Sequence, residues 1–267
     1  MAPAPDFDHP DFADFYDELP LWSAPFAQKI LERAPLARGA GILDIGCGTG
    51  FLSLELAQRC GPDSRVWAID PWPAAMDRLE RKLAYHGVEN VELVRRDAAD
   101  TGLPDGIAEL AVSNLGINNF ADPAAVLAET RRLLKPGARL LLTTNLAGHM
   151  AEVYAALRDV LAGQADRLAA VAAHEAHRGT VASVAGRLAA AGFGEIVHET
   201  SSYSMRFADG TAMLDHWFVR MAFVPDWSAA AGENALPALE ARLNARAKEA
   251  GELKLTIPVA LFVAVRP

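Results

Sequence analysis

The chain has 267 residues, a net charge of −9 with histidine neutral, and a pI near 5.3. Hydrophobic residues make up 51% and charged residues 22%, so the chain can bury a sizeable core and is not disordered as a whole. The acidic balance and the lack of a basic run argue against a nucleic-acid binder that works by neutralising phosphates.

The N-terminus has no basic and apolar leader segments, and no apolar run reaches the roughly 18 residues of a membrane span. Two cysteines, Cys47 and Cys60, form no CxxC pair, which fits a reducing cytoplasm. Residues 1–22 hold four prolines among Asp, Phe and Tyr. They are expected to form an irregular arm with no packed helix of its own. Residues 23–267 are expected to form one domain, opening with a helix near Ser23–Ala34. Strands are then predicted at Gly41–Ile45, Arg65–Ile69, Val91–Arg95, Ala108–Ser113 and Arg139–Thr144. Helices are predicted between them at Leu52–Arg59, Ala74–His86 and Ala124–Leu134, the last ending at Lys135-Pro136-Gly137. This alternation implies a parallel sheet wound with helices on both faces. Beyond Asn145, residues 148–192 and 209–250 read as cap helices, the second set interrupted at Pro225 and Pro237. Glu195–Tyr203 and Leu253–Val265 read as strands, with Pro258 marking a bulge or an edge.

The most informative run is Ile42-Leu43-Asp44-Ile45-Gly46-Cys47-Gly48-Thr49-Gly50, where a strand becomes a helix. Its glycines let the backbone turn tightly and approach a ligand, and the helix start offers N–H groups to an anion. Asp70 ends the next strand, where a carboxylate can accept from both hydroxyls of a ribose. Phe51 stands where a dinucleotide fingerprint would place its third glycine. That tilts the ligand from NAD toward a nucleoside without a pyrophosphate.

These residues resemble the first motif of class I S-adenosylmethionine-dependent methyltransferases. The resemblance continues through Val66–Asp70, Val94–Ala98, Val112–Asn119 and Leu134–Leu140. It implies a doubly wound α/β sheet of seven strands, Rossmann-like, ending in an antiparallel edge hairpin and carrying helical cap insertions. It implies S-adenosylmethionine as cofactor. Gly46, Cys47, Gly48 and Gly50 would line its methionine part, with Asp44 ordering the loop. Asp70 would hold the ribose. Pro71 and Trp72 would pack on the adenine, Asp97 would accept from its amino group, and Ala98 would offer a backbone N–H. Asn114 would also contact the cofactor. The bland alternatives are a core tryptophan at Trp72 and a turn carboxylate at Asp97.

The acceptor side falls after the fourth and fifth strands. Asn114 and Asn145 stand where catechol-type enzymes place carboxylates, and neutral amides are weak ligands for a hard cation, so no metal is expected. Gly116–Pro123 resembles a run of quinone-biosynthesis C-methyltransferases. Asn119 matches that family's asparagine, and Asn118 replaces its arginine. Tyr16 and Trp22 are candidate lid residues. His149 is a candidate base, set against the commoner case of a surface loop histidine. His174 and His177 are expected on a solvated helix. The expected function is in-line methyl transfer to a small-molecule acceptor, with no nucleic-acid partner. A non-catalytic cofactor-binding module and an NAD-dependent oxidoreductase are the alternatives.

Overall fold

The computed structural model describes residues 6–18 and 22–267; residues 1–5 and 19–21 of the expected arm lie outside the described residues. The arm is not irregular throughout. It contains helix α1 (Pro10–Glu18). Pro10 opens the helix, where its missing N–H costs nothing. The acids that argue against a free-standing helix are neutralised from outside: Asp14 pairs with Arg81, and Asp17 with Arg78 and Lys82. Helix α2 (Ala24–Arg33) follows and buries Phe26, Ala27, Ile30 and Leu31.

The α/β alternation is as predicted: β1 (Gly41–Ile45), α3 (Phe51–Cys60), β2 (Arg65–Ile69), α4 (Pro73–His86), β3 (Val91–Val94), β4 (Ala108–Asn114), α5 (Pro123–Leu133) and β5 (Leu134–Asn145). The Lys135-Pro136-Gly137 turn survives as a register shift, because Ala108 faces Leu134 and Leu110 already faces Arg139. All five β1 residues are buried, as expected of a strand covered on both faces. One core cluster joins Ile30, Ile42, Leu56, Val66, Leu110 and Leu141. The parallel register sets Ile45 beside Ile69 and Asn114 beside Thr143. The glycine loop and Asp70 therefore leave the sheet side by side.

After β5 come α6 (Ala151–Val160), α7 (Ala165–Glu175), α8 (Val181–Ala190), β6 (Gly194–Phe207), α9 (Gly210–Asp215), α10 (Trp217–Ala222), α11 (Val224–Ala231), α12 (Leu236–Ala250) and β7 (Leu253–Val265). Pro225 and Pro237 lie in the first turns of α11 and α12, so they start helices and do not interrupt one. The sheet order is β3-β2-β1-β4-β5-β7-β6. Ala138 faces Arg266 and Leu146 faces Pro258, so β7 runs antiparallel to β5 and the sheet is mixed. Pro258 therefore sits in an interior strand, and β6 is the edge. The Pro258 carbonyl accepts from Leu146 at 3.2 Å, just past the end of β5. Its missing N–H falls where the ladder is already stopping.

The described residues divide into two compact units. One holds 6–144, 181–200 and 260–267; the other holds 145–180 and 201–259. In the second unit α12 packs on α9 and α6, and α11 packs on α7. Met213, Phe218, Phe223 and Trp227 form its buried side, whereas Trp217 is exposed.

Gly50 makes one contact testable. Its φ is +82°, and a Cβ there would lie 2.2 Å from Leu79 Cδ1 on α4. Gly50→Ala adds left-handed strain and overpacking, together about 2–4 kcal/mol. Urea unfolding measures this, and adding Leu79→Ala should recover the steric part. A loss below about 0.5 kcal/mol would mean that the contact relaxes freely.

Candidate functional site

The glycine loop is held from β2. Gly46 and Cys47 both donate backbone N–H to Ile69 O, at 2.9 and 3.1 Å. Gly48 N donates to Asp70 Oδ2 at 2.8 Å, and Trp72 N to Asp70 Oδ1 at 2.9 Å. One carboxylate thus ties the loop to the turn carrying Trp72. Nothing lies within 4 Å of where a Gly48 Cβ would stand, while one at Gly46 would meet the Phe120 ring at 3.3 Å. The loop is open on one side and floored by an aromatic ring on the other. Its backbone conformation is left-handed at Gly46, Gly48 and Gly50, which favours glycine at each.

Asp44 lies fully buried below the loop and accepts from Ser53 Oγ at 2.6 Å. Burial pushes its carboxyl up to about 7, and the Asp70 charge adds to the rise. Burial raises Asp70 as well, against the two N–H donors that lower it. Cys47 Sγ lies 3.6 Å from Met76 Sδ. Burial, then the charges of Asp44 and Asp70, push its thiol well up, so it is a poor nucleophile.

Helix α1 brings the arm to this place. Tyr16 and Trp72 rings meet edge-on at 5.7 Å, Phe12 lies 6.0 Å from Trp72, and Trp72 Nε1 donates to Phe7 O at 2.6 Å. Burial and then the Asp70 charge raise the Tyr16 phenol, keeping it protonated. Lys82 Nζ donates to Asp17 Oδ1 at 2.8 Å and to Thr49 O at 2.7 Å, linking the arm to the glycine loop. Trp22 stands beside Phe26, ring centroids 5.7 Å apart. Phe12, Lys82 and Phe120 were not picked out from sequence. The available signal was the basic ridge Arg78, Arg81 and Lys82 on α4, spaced to meet Asp14 and Asp17.

Other candidates are more ordinary in their contacts. Asp97 is exposed, and its Oδ1 accepts from Ala99 N at 2.8 Å, a turn contact; Ala98 beside it is buried and Pro71 is exposed. Asn114 accepts from Thr143 Oγ1 at 2.8 Å and donates to Ser23 O at 3.2 Å. Its amide is thus engaged in joining β4, β5 and the start of α2. Asn118 Oδ1 accepts from Thr144 Oγ1 at 2.7 Å. Asn119 is exposed and closes a short 3-10 turn onto Gly116 O. Leu115 ahead of it holds φ +64°, a strained conformation for leucine.

His149 lies in the second unit. It is 3% exposed, not a surface residue, and its ring is 5.4 Å from Phe223. Burial, then the charges of Arg178 and His174, lower it to about 3, so it is a weak proton acceptor. His174 is likewise not simply solvated. It is half-buried, and its Nδ1 lies 3.0 Å from Tyr154 OH. Among the described residues no three His, Cys, Asp or Glu side chains group as a metal ion would require.

Asp44 gives a pH prediction. The unfolded carboxyl titrates near 3.8 and the folded one near 7. Between these values the folded protein holds the extra proton, so this group removes stability as pH rises through that window. The full difference is on the order of 4 kcal/mol. Wild type should lose stability from about pH 4 to pH 7 relative to Asp44→Asn in urea titrations; parallel profiles would show that Asp44 is ionised throughout.

A family profile described as "Methyltransferase domain" matches residues 42–137. A demethylmenaquinone methyltransferase of Geobacillus stearothermophilus is 30% identical over 110 residues, covering 41% of this chain and 47% of that protein. A nocamycin O-methyltransferase of Saccharothrix syringae is 31% identical over 119 residues, covering 45% and 42%. The matches thus span less than half the length of these relatives. A putative methyltransferase structure from Bacillus halodurans shares the fold at TM-score 0.61 with 20% identity, covering 90% of this chain and 98% of that one. The YcgJ protein of Bacillus subtilis does so at TM-score 0.60 with 15% identity, covering 90% and 97%. The residues that carry the glycine loop and the acid at the end of β2 are thus similar to a methyltransferase domain, and the seven-stranded mixed sheet is the fold of these methyltransferase structures.

Proposed function

We propose that the protein transfers a methyl group from S-adenosylmethionine to a small-molecule acceptor, in the cytoplasm and without a nucleic-acid partner. The observation that carries this is Asp70, whose carboxylate holds Gly48 N and Trp72 N and keeps lone pairs for a ribose. In this reading Gly46, Cys47, Gly48 and Gly50 line the methionine part, and Pro71, Trp72, Asp97 and Ala98 surround the adenine. The N–H edge of Trp72 is spent on Phe7 O, so its contact with an adenine would use the ring face. Asn114 acts through the framework, since its amide joins β4, β5 and α2. Asn118 and Asn119 stand near the acceptor. The cofactor supplies an electrophilic methyl on a good leaving group, so the chain must mainly bind, orient and exclude water. No base is assigned, because His149 is too weak an acceptor. The demethylmenaquinone and nocamycin relatives, named for small organic acceptors, support the choice of substrate class.

Calorimetry with S-adenosylhomocysteine tests the reading. Asp70→Ala should weaken binding by on the order of 2–3 kcal/mol, because charge-assisted hydrogen bonds are lost. It should also lower folding stability, since Gly48 and Trp72 lose their acceptor. Asp70→Asn keeps one acceptor oxygen and should recover part of that stability. Unchanged affinity in folded Asp70→Ala would remove the ribose role.

We further propose that residues 1–22 act as a lid, with Tyr16 and Trp22 over the ligand. The ion pairs of Asp14 and Asp17 with α4 and the Trp72 contacts support this. Deleting 1–22 should leave the sheet folded and loosen S-adenosylhomocysteine several-fold. The ligand should slow proteolysis of the arm in the full chain. Equal cleavage with and without it, together with unchanged affinity of the truncated chain, would make the arm a structural brace only.

A further inference from the structure

The loop after β4 lays an aromatic ring against the glycine loop. Leu115 opens it at φ +64°, a backbone conformation that costs a leucine free energy and marks sites where geometry matters. Asn119 N and Phe120 N then donate to Gly116 O, at 2.9 and 3.2 Å, and fold the chain back. Asp122 caps α5 just beyond, accepting from Ala124 N and Ala125 N at 3.0 Å each. The backbone of Phe120 is therefore fixed from both directions along the chain.

One edge of the Phe120 ring meets two glycines. A Cβ at Gly46 would lie 3.3 Å from its Cε1, and one at Gly116 would lie 2.7 Å from Cζ and 3.0 Å from Cε1. Gly46 suits glycine through its backbone, at φ +71°. Gly116 does not, because its φ lies outside the left-handed region. What the missing side chain provides at Gly116 is room, for the ring and for Ser113 Oγ, which would stand 2.6 Å from the same Cβ. A strained leucine and a glycine used for space thus seat one ring. That ring is only half-buried, whereas phenylalanines that fill the core, such as Phe26 and Phe262, are fully buried.

The electrostatics of this turn have one sign. Gly48, two residues from Gly46, donates to Asp70 Oδ2 at 2.8 Å. Asp70 accepts from no lysine or arginine among the described residues, and Lys82 is held by Asp17 and Thr49 O. An aromatic face carries partial negative charge and attracts a cation within about 6 Å of the ring centroid. With one edge against the glycines, the faces of Phe120 are what the ring has left to offer a ligand. A carboxylate at the Gly48 end of the turn and a ring at the Gly46 end suit a ligand cation better than a neutral ligand.

We propose that Phe120 is a specificity-determining residue, whose ring favours the positively charged sulfonium cofactor over its neutral thioether product. The proposal rests on the methyl-transfer reading above. The two molecules differ by one methyl group and one charge, so shape separates them weakly and a π face responds to the charge. Once the methyl has left, the sulfur is neutral and the ring no longer favours what remains in the site.

Calorimetry with S-adenosylmethionine and S-adenosylhomocysteine, each titrated into the full chain, tests this without an acceptor. Phe120→Leu keeps apolar bulk and loses the face. It should weaken S-adenosylmethionine by about three- to ten-fold and leave S-adenosylhomocysteine within about two-fold of wild type. Phe120→Tyr should keep the wild-type ratio of the two affinities. A trifluorinated phenylalanine at position 120 keeps the ring's shape and drains its face, so it should lower the ratio as Phe120→Leu does, with the unfolding midpoint unchanged. This variant decides the matter if Phe120→Leu unfolds. A ratio that stays at the wild-type value in the fluorinated variant, or affinities that fall by the same factor, would make the ring a spacer only. Binding of S-adenosylhomocysteine would then still support the methyl-transfer reading. Failure of wild type to bind either molecule would overturn that reading, and this proposal with it.

Discussion

Two carboxylates close the C-terminal ends of β1 and β2, and neither accepts from a lysine or arginine among the described residues. Asp44 has Ser53, and Asp70 has two backbone N–H groups. Burial raises the proton affinity of both, and the Asp70 charge adds to the rise at Asp44. The surrounding parts depend on this arrangement. Asp70 sets the path of the glycine loop and the Trp72 turn. Asp44 ties the end of β1 to the first turns of α3. Asp70, with no lysine or arginine accepting partner among the described residues, makes the loop a region of negative potential, which a cationic ligand relieves and a neutral one does not. On the methyl-transfer reading the sulfonium cofactor has the charge this region lacks.

The same electrostatics accounts for the arm. Lys82 lies near enough to shape the loop but spends its protons on Asp17 and Thr49 O. The basic ridge of α4 is thereby committed to holding α1 and does not neutralise Asp70. Helix α1, held on α4, sets Tyr16 near Asp70 as a protonated phenol. A hydroxyl that keeps its proton can donate to a carboxylate or a ligand without adding charge.

The sheet was legible because its strands are buried runs between glycine and proline signals, and their parallel order follows from the β-α alternation. The glycine loop and Asp70 were legible for the same reason: their spacing is a local property. What escaped was tertiary. Pro10, Asp11, Asp14 and Asp17 read as a poor helix when taken alone, yet α4 supplies the opposite charges and α1 forms. Pro258 read as an edge signal, but a strand end offers the same tolerance as an edge. Asn114 read as a site residue, and the bridge its amide makes between β4, β5 and the start of α2 was not legible beside that reading. His149 read as a candidate base against the commoner case of a surface histidine, and it is neither exposed nor a strong proton acceptor. Its burial beside Phe223 and Arg178 comes from packing among helices whose alanine-rich sequences carry little positional information.

The weakness of His149 as a base bears on which acceptors this fold can serve. A phenol or amine that must lose a proton during transfer needs a group with proton affinity near the working pH, and an imidazole lowered to about 3 does not supply one. An acceptor that is already ionised in water sheds its proton before binding. The demand on the protein then shifts from removing a proton to holding an anion.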